Sequence, residues 1–404
     1  MKRFLMLLLS VVVLGGCSNT PVQTESTVAS VTTTEFVTSV VTASIASAIP
    51  TTATIVTTVP EPEFASVDIV CAGDNLIHSP IYMQAKNRAE NGDYDFLPAY
   101  ENVRKYIEEA DLAILNQETI VSDKYEPSNF PYFCSPEALA RDMITLGFDA
   151  VSISNNHCLD KGEEGLIASL EFWADSYPDI PVYGAYLNEE DMNNIRILEV
   201  NGITFAFLGF MEHTNGLMLP ENSVCELTYM SEEELIEKQI KEAEKIADCV
   251  IVSVHFGVEV TNEISVQQYD FSQKLADYGA DIIIGTQPHT IQSMEYLTGK
   301  NGNKAFVFYC LGNFISAMDN PYSMVEMLGR IKVTKSLKTG EITLSEPNAV
   351  PLINHYDHNY SNIRIYPFSE YTEELGTSHG CKGTSYSFFE RIISENIPEE
   401  YLSE

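Results

Sequence analysis

An α/β fold is predicted by three features of the sequence. Short apolar runs rich in Val, Ile, Ala and Phe recur along the chain, the composition of strands buried on both faces. Stretches with helical spacing of apolar residues separate many of them. The runs also stop on a restricted set of polar side chains, Asp, Glu, Asn and His. Alternation of strand and helix implies an α/β architecture, and in such folds ligands bind where the carboxyl ends of strands converge.

In chain order, "SVDIVCAGD" ends at Gly73-Asp74, with His78 soon after, and "DLAILNQE" ends at Asn116 and Glu118. The helical pattern "YENVRKYIEEA" lies between them, and "SPEALARDMITLGF" follows. "FDAVSISNNH" then ends at Asn156 and His157, before the helical "GLIASLEFWADS". "ITFAFLGFMEH" ends at Glu212 and His213, and "DCVIVSVHFG" at His255, with "SEEELIEKQIKEAEKIA" between them. After the helical "SVQQYDFSQKLADYGA", "ADIIIGTQPH" ends at Gln287 and His289, and "KAFVFYCLGNF" at Gly312 and Asn313. Gly follows several of the helical stretches, as C-terminal punctuation should.

The first 64 residues stand apart. Lys2 and Arg3 followed by apolar Phe4–Leu14 form a targeting segment, too short for a membrane span. "LGGC" after it has the form of a bacterial lipoprotein signal, with Cys17 as the lipidated residue. Residues 18–64, dominated by Thr, Ser, Val and Ala, read as a stalk or disordered linker. The expected organisation is a signal over 1–17, a linker over 18–64, the main domain over 65–318, and an extension over 319–404 that packs on the same domain.

The net charge of −35 excludes nucleic acid as a partner and repels anionic lipid and other polyanions. A polyanionic substrate would need metal ions to offset that field, since no strong basic run is present. Eight cysteines without a CxxC form neither a disulfide framework nor a structural zinc pattern. Apart from Cys17, buried free thiols are expected.

Taken alone, "VSISNNHCLDKGEEG" (residues 151–165) reads as an ordinary strand end, with Asp160 as a helix N-cap and Glu163 completing the box. The recurrence of metal-type side chains at strand ends favours a shared site instead. Asp, Glu, Asn and His without Cys suit hard or borderline divalent ions such as Mn, Fe, Zn or Mg. A two-metal centre needs about this inventory.

Taken in order, "AGDNLIH", "LNQE", "SNNHCLDKGEEG", "VHFGVE", "GTQPHTIQSMEY" and "YCLGNF" resemble the CapA family of poly-gamma-glutamate capsule biosynthesis proteins. That family looks like a branch of the calcineurin-like metallophosphoesterases. The resemblance implies a sandwich of two mixed β-sheets flanked by helices, and two divalent metal ions. It implies metal ligation by Asp74, Glu118, Asn156, His255 and His289, with His78 alongside Asp74. His157 would be the general acid or charge stabiliser and Asp160 its orienting partner. Glu259, Gln287, Glu295 and Asn313 would lie behind the ligands or touch substrate. The chain departs from the pattern at Gln287, where relatives often carry His, and in the longer spacing from Asp74 to His78.

Residues 319–404 contribute nothing to the family resemblance; two strand-like stretches and two helical ones are expected, with His355, His358 and His379 at the surface. Three functions fit. The first is a membrane-anchored, metal-dependent hydrolase of an anionic polymer or phosphoester, acting outside the cytoplasm in capsule-polymer synthesis or export alongside polymer synthase and export subunits. The second is a metal-dependent phosphoesterase unrelated to capsule. The third is a non-catalytic, polymer-binding accessory subunit.

Overall fold

The computed structural model describes residues 63–403; the expected signal over 1–17 with Cys17, and nearly all of the expected linker, lie outside the described residues. Strands β1 (Phe64–Asn75), β2 (Leu112–Asn116), β3 (Ala150–Ser152) and β4 (Val182–Tyr183) run parallel, side by side. A small antiparallel pair joins β5 (Ala185–Tyr186) to β8 (Glu226–Leu227). A second sheet has the order β11-β12-β10-β9-β7-β6. Its strands are β6 (Arg196–Val200), β7 (Ile203–Met211), β9 (Cys249–His255), β10 (Ile282–Thr286), β11 (Met294–Thr298) and β12 (Lys304–Phe308). The four inner strands are parallel, and the two edges are antiparallel.

The chain then returns to the first sheet. β13 (Asn313–Ile315) runs parallel to the end of β1. β14 (Val325–Ser336), β15 (Ile342–Asp357) and β16 (Ser361–Pro367) extend that sheet as antiparallel strands beyond β1.

Period-2 alternation builds both layers. Phe205 and Phe207 of β7 share one core with Cys71, Ile114 and Val151 of the first sheet. Ala206 and Leu208 point the other way, onto Ile236 and Ile240 of the helix Glu233–Ile246 and Leu275 of the helix Val266–Tyr278. The fold is therefore α/β, a sandwich of two mixed sheets with helices on the outside. The helix Val266–Tyr278 starts at a Ser265–Gln268 capping box and stops at Gly279. A left-handed φ of +119° there suits a residue without Cβ. The seven described cysteines are all buried and free.

The expectation of surface histidines in the last segment is corrected at two of three positions. His358 is exposed, but His355 and His379 are buried, with ring centroids 4.9 Å apart. His355 Nδ1 meets the Tyr371 hydroxyl at 2.7 Å. His379 Nε2 lies 3.1 Å from the Asn354 carbonyl, and its Nδ1 accepts from the Cys381 amide at 3.0 Å. The reason is tertiary: Phe389 of the helix Tyr386–Asn396 packs on the His379 ring, and Tyr366 and Tyr371 pack on His355.

Candidate metal centre

Asp74 leaves the end of β1 at a bulge, where pairing with β2 shifts register between Ala72 and Asp74. Its amide donates to the Gly312 carbonyl at 3.0 Å. That close approach requires glycine at 73, because a Cβ there would lie 2.0 Å from the same carbonyl oxygen. Glu118 lies two residues past β2, and Asn156 and His157 lie in the turn after β3. His255 is the last residue of β9. Past β10, Gln287 and His289 have left-handed φ values of +100° and +55°, uncommon for residues with a Cβ. Such strain is found where the surroundings fix a functional geometry.

These turns deliver one buried cluster. Oxygens of Asp74 and Glu118 and a nitrogen of His289 lie within 4.8 Å of one another. His289 Nδ1 is 3.2 Å from Asp74 Oδ2 and 2.9 Å from Asn313 Oδ1, and its Nε2 is 3.8 Å from Glu118 Oε1. His255 Nε2 lies 3.1 Å from Asn156 Oδ1 and 3.6 Å from Glu118 Oε1. Its Nδ1 meets the Thr286 hydroxyl at 2.9 Å, which fixes the ring and turns Nε2 inward.

The protonation states follow from burial and charge. Burial pushes the Glu118 carboxyl well up, and the charge of Asp74 adds to this. Burial alone would raise Asp74 too, but His289 and His255 outweigh it and hold it low. Burial would lower His289, yet Glu118 and Asp74 carry it up to about 10. His255 is pushed down to about 3, chiefly by burial. Without a cation, burial and charge thus favour ionised Asp74 and the proton on His289; a bound cation would take that proton's place, since ligation needs the neutral imidazole.

His157 sits beside this cluster. Its Nδ1 is 2.7 Å from Asp160 Oδ2, an oxygen that also accepts the Phe133 amide at 2.6 Å. The Phe133 ring packs edge-on against His157, centroids 4.8 Å apart. The N-cap reading of Asp160 is corrected: the helix Gly162–Ser176 starts after Lys161 and has no side-chain cap. The Asp160 carboxylate turns back to His157 instead.

Two expected residues stand elsewhere. His78 is outside the Asp74–Glu118–His289 group. Its Nδ1 accepts from the Ala317 amide at 3.2 Å, and its ring packs on Phe133. Glu295, on edge strand β11, accepts from the Tyr309 hydroxyl at 2.9 Å; strand alternation carries it away from the cleft. Glu259 is exposed and accepts from Gln287 Nε2 at 3.4 Å.

Three residues absent from the predicted set also bear on the site. Asn116 Nδ2 donates to Asp74 Oδ1 at 2.6 Å, and its place at a strand end was the available signal. Thr286 orients His255. Glu326 on β14 is fully buried with both oxygens unpartnered, and burial, then the charge of Asp74, raises its pKa.

A cation fits this centre. Both oxygens of Glu118, Oε1 of Gln287 and Oδ1 of Asn116 are buried without partners, and unpaired buried acceptors are costly. With the imidazoles of His255 and His289 they form a donor set for a hard or borderline divalent ion.

Fold and site together define a class, an α/β sandwich carrying an acid–imidazole centre of the metal-binding type at the carboxyl ends of its strands. Within it, the chain belongs to the bacterial capsule synthesis protein PGA_cap family, whose model matches residues 68–318. It is 33% identical over 171 residues to the PGA biosynthesis protein CapA of Bacillus subtilis, covering 42% of this chain and 43% of that protein. It is 29% identical over 281 residues to the capsule biosynthesis protein CapA of Bacillus anthracis, covering 66% of this chain and 65% of the relative. The chain thus spans less than two thirds of the length of either relative. Among solved structures, a phosphatase from Mycoplasma pneumoniae superposes at a TM-score of 0.43 with 14% identity, covering 71% of this chain and 94% of that one. A 5′-nucleotidase from Candida albicans does so at 0.37 with 14% identity, covering 65% and 46%. These two likenesses carry no information on chemistry.

Proposed function

We propose that this chain is a cell-surface lipoprotein acting in the synthesis or export of a capsule polymer, through a metal-dependent, hydrolase-like site. The name of the Bacillus subtilis relative, a PGA biosynthesis protein, together with the motif resemblance to the CapA family, supports poly-gamma-glutamate as the polymer. "LGGC" at residues 14–17 supports membrane anchoring through Cys17. One observation carries the chemical reading: a buried Asp74–Glu118–His289 group with unpartnered carboxylate oxygens stands next to a His157–Asp160 pair.

Divalent ions held by Asp74, Glu118, Asn156, His255 and His289 would supply Lewis acidity and a water of lowered pKa. The protein's own part is positional. Asp160 holds His157 by Nδ1, which leaves Nε2 to give a proton to the leaving group. Phe133 closes one side of that imidazole against water. Asn156 adds a neutral oxygen, so the donor set gains no further negative charge.

Gln287, an amide where relatives often carry imidazole, favours a second reading: a polymer-binding subunit without turnover. Both are tested by metal analysis of the purified protein and assay against phosphoesters and gamma-glutamyl polymers. Metal-dependent cleavage of either class supports the hydrolase. Bound metal and bound polymer with no cleavage supports the accessory role. A protein that takes up no divalent ion sinks both.

A further inference from the structure

Gln287 is built into the centre more firmly than a bystander would be. It is 2% exposed and has a left-handed φ of +100°. Its backbone amide donates to Asp74 Oδ2 at 3.2 Å, so the strained turn is tied to a member of the acid–imidazole group. Its side-chain Nε2 donates to Glu259 Oε1 at 3.4 Å. That contact sets which way the amide faces and leaves Oε1 buried and unpartnered. Gln287 and His289 Nδ1 share Asp74 Oδ2 as a partner, and Asp74 groups with Glu118, whose carboxylate oxygens are likewise unpartnered, so Gln287 stands against the same cluster. A buried carbonyl oxygen in this state requires a donor or a cation. Both groups that the structure pairs with Gln287, Asp74 and Glu259, are acceptors, which favours the cation.

We infer that Gln287 is a direct metal ligand through Oε1, with Glu259 clamping its amide, and that it biases the centre toward oxygen-preferring ions. The inference rests on the metal-centre reading above and adds a selectivity to it. With Gln287 the available donors are oxygens of Asp74, Glu118, Asn156 and Gln287 and nitrogens of His255 and His289. Carboxylate and carbonyl oxygens suit Mg²⁺ and Mn²⁺, whereas each added imidazole favours Zn²⁺. This one position therefore moves the balance between Mn²⁺ and Zn²⁺.

The test is calorimetric titration of Mn²⁺ and of Zn²⁺ into the metal-stripped full chain, as wild type, Gln287→His and Gln287→Leu. Circular dichroism and melting of the stripped proteins check that each variant folds. Both variants keep a Cβ at the same φ, so backbone strain is common to all three. Gln287→Leu should weaken Mn²⁺ binding by roughly tenfold or more, as loss of a donor does. Gln287→His should raise the preference for Zn²⁺ over Mn²⁺ by roughly tenfold. Wild-type metal binding with an unchanged affinity in Gln287→Leu would overturn this inference alone. Absence of binding by the wild type would overturn it together with the metal centre.

Discussion

His157 and Asn156 are adjacent in sequence and face different tasks. Asn156 Oδ1 is turned to His255 Nε2, inside the donor set. His157 is instead tied to Asp160 and packed edge-on against Phe133, outside the Asp74–Glu118–His289 group. His157→Ala should therefore keep most of the bound metal while turnover falls by roughly 10²–10⁴-fold, the usual worth of a positioned acid–base group. Asn156→Ala and His255→Ala should lower metal content first. Metal analysis of the three purified variants separates these roles; a metal-free His157→Ala protein would refute the assignment.

The elements are joined at contacts that leave no room for a side chain. Gly73 lets β1 approach the chain just before β13, where the Asp74 amide uses the Gly312 carbonyl as its partner. Gly73→Ala would place a methyl 2.0 Å from that oxygen. Backbone on both sides would have to move, and the bulge that aims Asp74 would open. We expect a loss of roughly 1–3 kcal/mol, the range of overpacking at a tight contact, with a matching drop in metal affinity. Chemical denaturation and metal titration measure the two effects. Unchanged values in both would mean that the approach at Gly73 does not set the site.

For the whole molecule, the covered face of β15 makes stability depend on pH. His379 is pushed down to about 4 by burial first and by neighbouring His355 second. An unfolded histidine titrates near 6.5. Between these values the unfolded chain binds a proton that the folded chain refuses, so stability rises with pH there. The contribution is complete above about pH 6.5 and is lost as pH falls toward 4, by about 3 kcal/mol across the window. His355, also lowered by burial, acts in the same direction. His379→Gln should lower stability at pH 7, yet lose less of it between pH 7 and 4.5. Urea melts of both proteins at the two pH values decide this, and equal losses would rule His379 out as the titrating group.

The seven apolar runs and the polar residues that end them were legible in the sequence. Buried parallel strands must be apolar along their length, so Asp74, Glu118, Asn156, His255 and His289 could be read as exceptions placed at strand ends. Composition likewise disclosed the free thiols, since no metal or disulfide spacing competes for them. What sits at a strand end is therefore a local property, recorded in a stretch of about ten residues. Which ends meet is not local. His78 and Glu295 carry the same chemistry as the others, yet a helix start and a sheet edge hold them elsewhere. His355 and His379 look like surface residues until Tyr366, Tyr371 and Phe389 pack over them. Glu326 enters the vicinity of Asp74 from a strand outside the family match. Those outcomes depend on sheet order, register and what packs over each face, which arise from contacts between segments hundreds of residues apart. Only the tertiary structure decides them, because a side chain's surroundings are set by the partners that fold onto it.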